Sequence, residues 1–406
     1  MRQLPLVKYQ EITHNYMFLL KKNKYIVCKN KIIMSTESPI PISNRLYSLD
    51  ALRGFDMFWI MGAEAIVHSI HQVNHNPIWE TLANQMIHPD WHGFAFYDLI
   101  FPLFLFIAGL ASPYSVVKEL ELGKSKSQMA LRIIKRTIIL ILLGLVINQG
   151  IHIMPISEIR FGSVLGRIGI AYMFANFIFI YSKKEWMNYL WFAGLLMGYY
   201  LILKFTSAPG FPTGDLTQAG NFASYLDRLI MPGKLYLGNH DPEGLASSLP
   251  AISTGLLGIL VGNYIKNNAS NGTKKCLRLA IIGIIFILFS LIWNLDFPIN
   301  KNLWSSSFVM LTGGISILLF TLFYYIIDVK GYRKWAYFFK VIGVNSILIY
   351  ISGTFIDWQY TTQGLFGWIG EWIGNPFSIV AMSVLYLGVK WGFLNALYKM
   401  KIFLKV

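Results

Sequence analysis

The run Ile87-His88-Pro89-Asp90-Trp91-His92-Gly93-Phe94-Ala95-Phe96-Tyr97-Asp98 places two histidines, a tryptophan and acids just ahead of the apolar stretch LIFPLFLFIAG at 99–109. Imidazole is the one side chain whose ordinary pKa lets it exchange a proton near neutrality. Seven of the eight histidines (His68, His71, His75, His88, His92, His152 and His240) fall at or beyond the same ends of the apolar segments. A histidine cluster on one face suits proton transfer, and it equally suits a row of interfacial polar residues. Asp98 opens a helix, where the dipole tolerates an acid and a carboxylate can cap free backbone N–H groups. Pro102 falls in the first turns of that helix, where proline is tolerated.

Four other constellations carry charge or amides. In Asp50-Ala51-Leu52-Arg53-Gly54-Phe55-Asp56 the first acid and the arginine are three apart, so they share a helix face and can pair. Arg53 and Arg167 (in VLGRIG, 164–169) are expected within or close to the membrane, where an arginine faces the bundle interior with a partner. Each suits phosphate binding or an ion pair between helices. Asn239-His240-Asp241-Pro242-Glu243-Gly244 reads as a turn entering a helix, with two acids that cap it or receive a cationic or hydroxyl-rich substrate. Phe297-Pro298-Ile299-Asn300-Lys301-Asn302-Leu303-Trp304-Ser305 is a loop with amide donors and an aromatic platform. His68, His71 and His75 have helical spacing, but no carboxylate follows at ligand spacing, so no metal is expected.

The elements that position these residues are membrane helices. The chain is 55% hydrophobic and only 14% charged, too little charged surface for a soluble chain of 406 residues. Its apolar blocks are long enough to cross a hydrocarbon core of roughly 30 Å. Ten spans are expected, at 50–71, 98–117, 133–150, 164–182, 187–205, 249–266, 278–294, 307–327, 341–357 and 374–398, giving an all-α helix bundle. Of 35 Lys and Arg, 27 fall in one alternating set of loops and termini, and four (Arg160, Arg228, Lys234 and Lys301) in the other. That asymmetry puts both termini in the cytoplasm, so the net charge of +15 orients helices and does not signal nucleic acid. Cys28 and Cys276 fall on the cytoplasmic side, where no disulfide is expected. Residues 1–45 read as a basic, disordered extension, with the functional chain starting near Met34 and the membrane domain covering 46–406. The less basic loops at 72–97 and 206–248 are the longest, and long connections carry function more often than short ones.

Taken in order, RLYSLDALRGFDMF, HPDWHGFAFYDLIFPLFLFIAG, RFGSVLGRIGIAY, YLDRLIMPGKLYLGNHDPEGLASSLPAI, FPINKNLWSSSFV, DVKG and GVNSILIY resemble one family. It is the catalytic membrane core of lysosomal heparan-α-glucosaminide N-acetyltransferase and its bacterial relatives. The resemblance implies transfer of an acetyl group from cytosolic acetyl-CoA to the amine of a glucosamine-type glycan across the membrane. It implies His88 and Asp98 as catalytic residues. Trp91, His92, Asp241, Glu243, Asn302 and Trp304 become acceptor-binding candidates, and Arg53 and Arg167 candidates for the coenzyme phosphates. His92 is the rival base. The chain departs from the lysosomal enzyme in lacking its lumenal domain and extra first span, in a longer loop before His88, and in having His where that enzyme has Asn at position 92. The lack of that lumenal domain favours a bacterial inner membrane over a lysosome. Expected partners are the lipid bilayer, acetyl-CoA, an amino-sugar or glycan acceptor and a second copy of the chain. The alternatives are an O-acyltransferase of a surface polysaccharide and a glycan or anion transporter.

Overall fold

A computed structural model describes residues 46–152 and 154–404. The extension over 1–45, the start at Met34, His14 and Cys28 lie outside the described residues. Regular structure among the described residues is helical, apart from one antiparallel bridge between Arg160 and Gly233. Seven helices are long and apolar enough to cross a membrane, which makes this a helical membrane protein. They are α4 (Ile100–Glu121, with the tight turn Phe96–Leu99 before it), α6 (Val164–Tyr181), α7 (Glu185–Phe205), α9 (Ser248–Asn267), α10 (Gly272–Trp293), α11 (Ser306–Tyr324) and α15 (Phe377–Lys399). The remaining named helices are α1 (Tyr47–Phe58), α2 (Glu64–Val73), α3 (Pro77–Asn84), α5 (Lys126–Gln149), α8 (Phe222–Ile230), α12 (Ala336–Val344), α13 (Ser346–Ser352) and α14 (Trp358–Ile373).

Three expected spans differ from simple apolar rods. The segment expected at 50–71 is α1 and α2 joined through a π-helical turn, Trp59–Ala63, in which Gly62 takes φ 133°. Such turns re-aim the side chains on either side of them. The span expected at 133–150 begins earlier, at Lys126, because Ser125 and Gln128 cap each other's backbone N–H groups. Its first half carries Arg132, Lys135 and Arg136. The span expected at 341–357 is broken at Asn345, whose backbone leaves the helical region between α12 and α13. Residues 358–373, expected as an outer loop, form α14, which packs against α15.

Two glycine seams set the interior. A Cβ on Gly109 of α4 would lie 2.0 Å from the Gly255 carbonyl oxygen of α9, and one on Gly258 the same distance from that of Phe106. Small residues therefore bring α4 and α9 into backbone contact, the usual way helices associate where lipid supplies no hydrophobic drive. The second seam joins α1 to α12, where a Cβ on Gly54 would meet the Phe339 carbonyl oxygen at 1.7 Å. Around α4 and α9 the core is filled by Leu103, Phe106, Leu256, Phe308, Ile317 and Phe320. Helices α10 and α15 bury little of their surface and present apolar faces outward, as lipid-facing helices do.

Candidate active site

Three connecting segments, the π-helical turn and helices α1, α4, α6 and α13 converge on one cavity of about 250 Å³, lined by His88, Tyr97, Phe101, Glu243, Lys301 and Tyr350 among others. The loop before α4 brings His88 there. Gln85 pins this loop, its side-chain oxygen accepting from Phe96 N–H (2.9 Å) and its carbonyl from Tyr97 N–H (3.0 Å). Gly93, at φ 128°, donates its N–H to the Ile299 carbonyl at 2.9 Å and so ties the loop to 295–305.

Asp98 performs both tasks that its position allows. One carboxylate oxygen accepts the Ala95 N–H at 2.9 Å and caps the helix start. The other lies 2.7 Å from His88 Nδ1. Asp98 is 1% exposed, whereas the His88 side chain is 45% exposed. A buried carboxylate beside Nδ1 favours the tautomer protonated there, leaving the lone pair on Nε2. Lys301 Nζ lies 2.8 Å from Nε2, 3.2 Å from Nδ1 and 3.5 Å from the same Asp98 oxygen. Burial pulls the Lys301 ammonium below its ordinary pKa, opposed by the charges of Asp98 and Glu243.

Of the two acids in the 239–244 turn, only Glu243 lines the cavity. Asp241 is wholly buried and takes a two-pronged pairing from Arg160, Nε at 2.9 Å and Nη2 at 2.8 Å. It also accepts the backbone N–H groups of Tyr236 and Glu243. Its carboxyl is held below the usual range by Arg160 and these N–H groups, which outweigh the upward push of burial. Arg160 reaches Glu243 as well and lies over the Tyr236 ring. The turn expected to hold two acceptor-binding acids thus holds one buried acid engaged by Arg160 and two backbone N–H groups, and one that faces the cavity.

Arg167 is 2% exposed, donates to the Gly244 carbonyl and to Ser247, and lies over the Trp304 ring. It braces the 239–244 turn from beneath, and the structure does not bring it to Arg53. Arg53 sits in α1 with its guanidinium 3.7 Å from Asp50. Trp304, expected as a platform, is 1% exposed and packs edge-on against Phe101. Its φ of 51° turns the side chain inward at the end of a loop closed by Asn300, whose side chain accepts from Leu303 N–H. Asn302 is half-buried in that loop, next to Lys301. His92 meets the Asn300 side-chain amide at 3.2 Å and lies outside the cavity lining. Burial lowers its pKa. Trp91 donates its indole N–H to the Leu216 carbonyl and packs against His240, fastening the loop to the 206–248 segment.

Lys301 and Arg160 are the site residues that sequence reasoning passed over. Both are among the four cations on the sparsely charged side. A scarce cation on that side was the available signal.

His240 gives the segment around 221–247 a pH dependence. Ser224 Oγ accepts from Asn221 and lies 2.7 Å from His240 Nδ1. The ring is 1% exposed and burial pushes its pKa down to about 4. An unfolded imidazole takes up its proton near 6.5. Between those values the unfolded chain binds the extra proton, so stability falls as pH drops, by about 3 kcal/mol over the full window. Amide exchange across 221–247, corrected for intrinsic rates, is expected to rise between about pH 7 and about pH 5, and to lose that dependence in His240→Gln. An unchanged profile in wild type would contradict it.

Comparison with known proteins follows the same residues. The family model described as domain of unknown function DUF5009 matches residues 45–218, which includes His88, Asp98, Arg160 and Arg167. Heparan-alpha-glucosaminide N-acetyltransferase from Mus musculus is 28% identical over 330 residues, 68% of this chain and 50% of that protein. The Homo sapiens protein of that name is 27% identical over 322 residues, 65% of this chain and 48% of its own. The chain is thus similar to these N-acetyltransferases over about two thirds of its length. It spans about half the length of these curated relatives. Lys301, Asp241 and Glu243 fall beyond the DUF5009 match, so the cavity joins matched and unmatched parts of the chain.

Proposed function

We propose that the chain is a transmembrane N-acetyltransferase, moving an acetyl group from acetyl-CoA on the cytoplasmic side to the amine of an amino sugar on the other. The observation that carries this reading is an imidazole paired with a buried carboxylate in an apolar-walled cavity that also holds Glu243. The uneven distribution of Lys and Arg supports ten crossings with both ends cytoplasmic. The kinship with N-acetyltransferases supports the reaction type.

An amine attacks a thioester only when unprotonated. His88, with its lone pair on Nε2, takes the proton as the N–C bond forms, and Asp98 stabilises the imidazolium that results. The C–S bond breaks and the proton passes to the departing thiolate. Walls such as Phe101 and Phe104 exclude water, which limits hydrolysis of the thioester. Glu243 is assigned to the acceptor ammonium. An amine acceptor is favoured over a hydroxyl because the cavity already accommodates one ammonium, that of Lys301, against the imidazole and carboxylate. Arg53 is assigned to the coenzyme phosphates, since it lies near the Lys- and Arg-rich end of the bundle. Arg167, engaged by Gly244 and Ser247, is the less suited of the two.

The test is purified protein in detergent with labelled acetyl-CoA and a panel of amino sugars. N-acetylated sugar supports the proposal. O-acetylated product, or coenzyme release with no acetylated sugar, would replace it with another acyl transfer or with hydrolysis. Within this scheme Glu243→Gln is expected to raise the acceptor KM roughly tenfold, the effect of losing one charged hydrogen bond, and to leave the acetyl-CoA KM unchanged. Equal loss toward both substrates would mark Glu243 as structural, through Arg160.

A further inference from the structure

Lys301 is an amine held where the acceptor amine must arrive. Its Nζ touches the Nε2 of the base at 2.8 Å, lies within 3.5 Å of Asp98, and faces the cavity beside Glu243. The side chain is 19% exposed and is fixed by the tight loop that Asn300 closes. A protonated Lys301 occupies the base, so an incoming acceptor has to displace it. With acetyl-CoA bound and no acceptor present, Lys301 supplies the one amine among the residues lining the cavity. We propose that Lys301 is a self-acetylation site, modified on Nζ by bound acetyl-CoA when acceptor is scarce, and that this modification switches the protein off. The proposal rests on the acetyl-transfer reading above.

The chemistry balances without another reactant. The ammonium loses one proton through His88 to solvent. The free amine's electron pair forms the N–C bond, and the C–S bond breaks. The amine's second proton passes through His88 to the thiolate, giving coenzyme A thiol and Nε-acetyllysine. Burial, which pulls Lys301 below its ordinary pKa, raises the share of free amine. The product is a stable amide. Position 301 then carries no cation and its acetyl group fills part of a cavity of about 250 Å³.

The experiment incubates full-length protein in detergent with labelled acetyl-CoA, with and without glucosamine, and maps the label by peptide mass spectrometry. Acetyl transfer to glucosamine is followed in parallel. Label is expected at Lys301, approaching one per chain and appearing at least about tenfold faster than at any other lysine, as base assistance implies. Glucosamine is expected to slow it, His88→Ala to reduce it to the background of other lysines, and Lys301→Arg to remove it. Activity is expected to fall in step with the label in wild type. Normal transfer to glucosamine with Lys301 unlabelled would overturn self-acetylation alone. Label on His88, or labelling of Lys301 unaffected by His88→Ala, would overturn it too. No transfer and no coenzyme release would overturn both this proposal and the function it rests on.

Discussion

The His88→Ala variant is expected to lose acetyl transfer by about 10²–10⁴-fold, the usual contribution of a positioned general base, while remaining folded. Its side chain is 45% exposed, so removing it opens no core cavity. Asp98 gives a sharper version of the experiment because its two oxygens do different things. In Asp98→Asn the amide oxygen can still accept the Ala95 N–H, so the helix cap survives, but the negative charge beside His88 Nδ1 is gone. The expected result is a large fall in kcat with little change in thermal unfolding. A stability loss with normal turnover would assign Asp98 to capping alone. Full activity in His88→Ala would remove the imidazole from the reaction and leave His92→Ala to be tried.

The largest expected effect on stability belongs to Arg160. Arg160→Met strips the guanidinium from Asp241, which is 0% exposed and keeps only the N–H groups of Tyr236 and Glu243. A buried carboxylate that loses its counter-ion typically costs 3–5 kcal/mol. The turn carrying Glu243 is expected to loosen with it, lowering activity as well. The companion Arg160→Met/Asp241→Asn should recover most of the lost stability, because the uncompensated charge is gone. Thermal unfolding of the three proteins in detergent measures this. A single variant as stable as wild type, or a double variant worse than the single, would mean that the pairing holds nothing together.

The sequence made the membrane class plain, because apolar run length is a one-dimensional property. Pairings between distant loops are not. Asp98 was readable as a cap or as a functional acid, and the structure shows it to be a cap that also faces His88. Asp241 and Glu243 read as equivalent acids two residues apart. Arg160, about eighty positions away, reaches both, but Asp241 is wholly buried in the two-pronged pairing whereas Glu243 also lines the cavity. Trp304 read as an exposed platform since aromatic residues favour interfaces, but a left-handed backbone turn sends it into the core. The break at Asn345 and the π-helical turn at Trp59–Ala63 escaped notice because hydropathy continues across both. Helix α14 escaped because its glycines and tryptophans look like loop composition.

On the proposed function an acetyl group crosses the bilayer through this chain, donor on one side and acceptor on the other. Proteoliposomes of defined orientation, with acetyl-CoA confined to the face bearing the Lys- and Arg-rich loops and amino sugar confined to the opposite face, measure it directly. N-acetylated sugar is expected on the far side, and His88→Ala vesicles should make none. Product formed only when both substrates share one compartment would contradict the account.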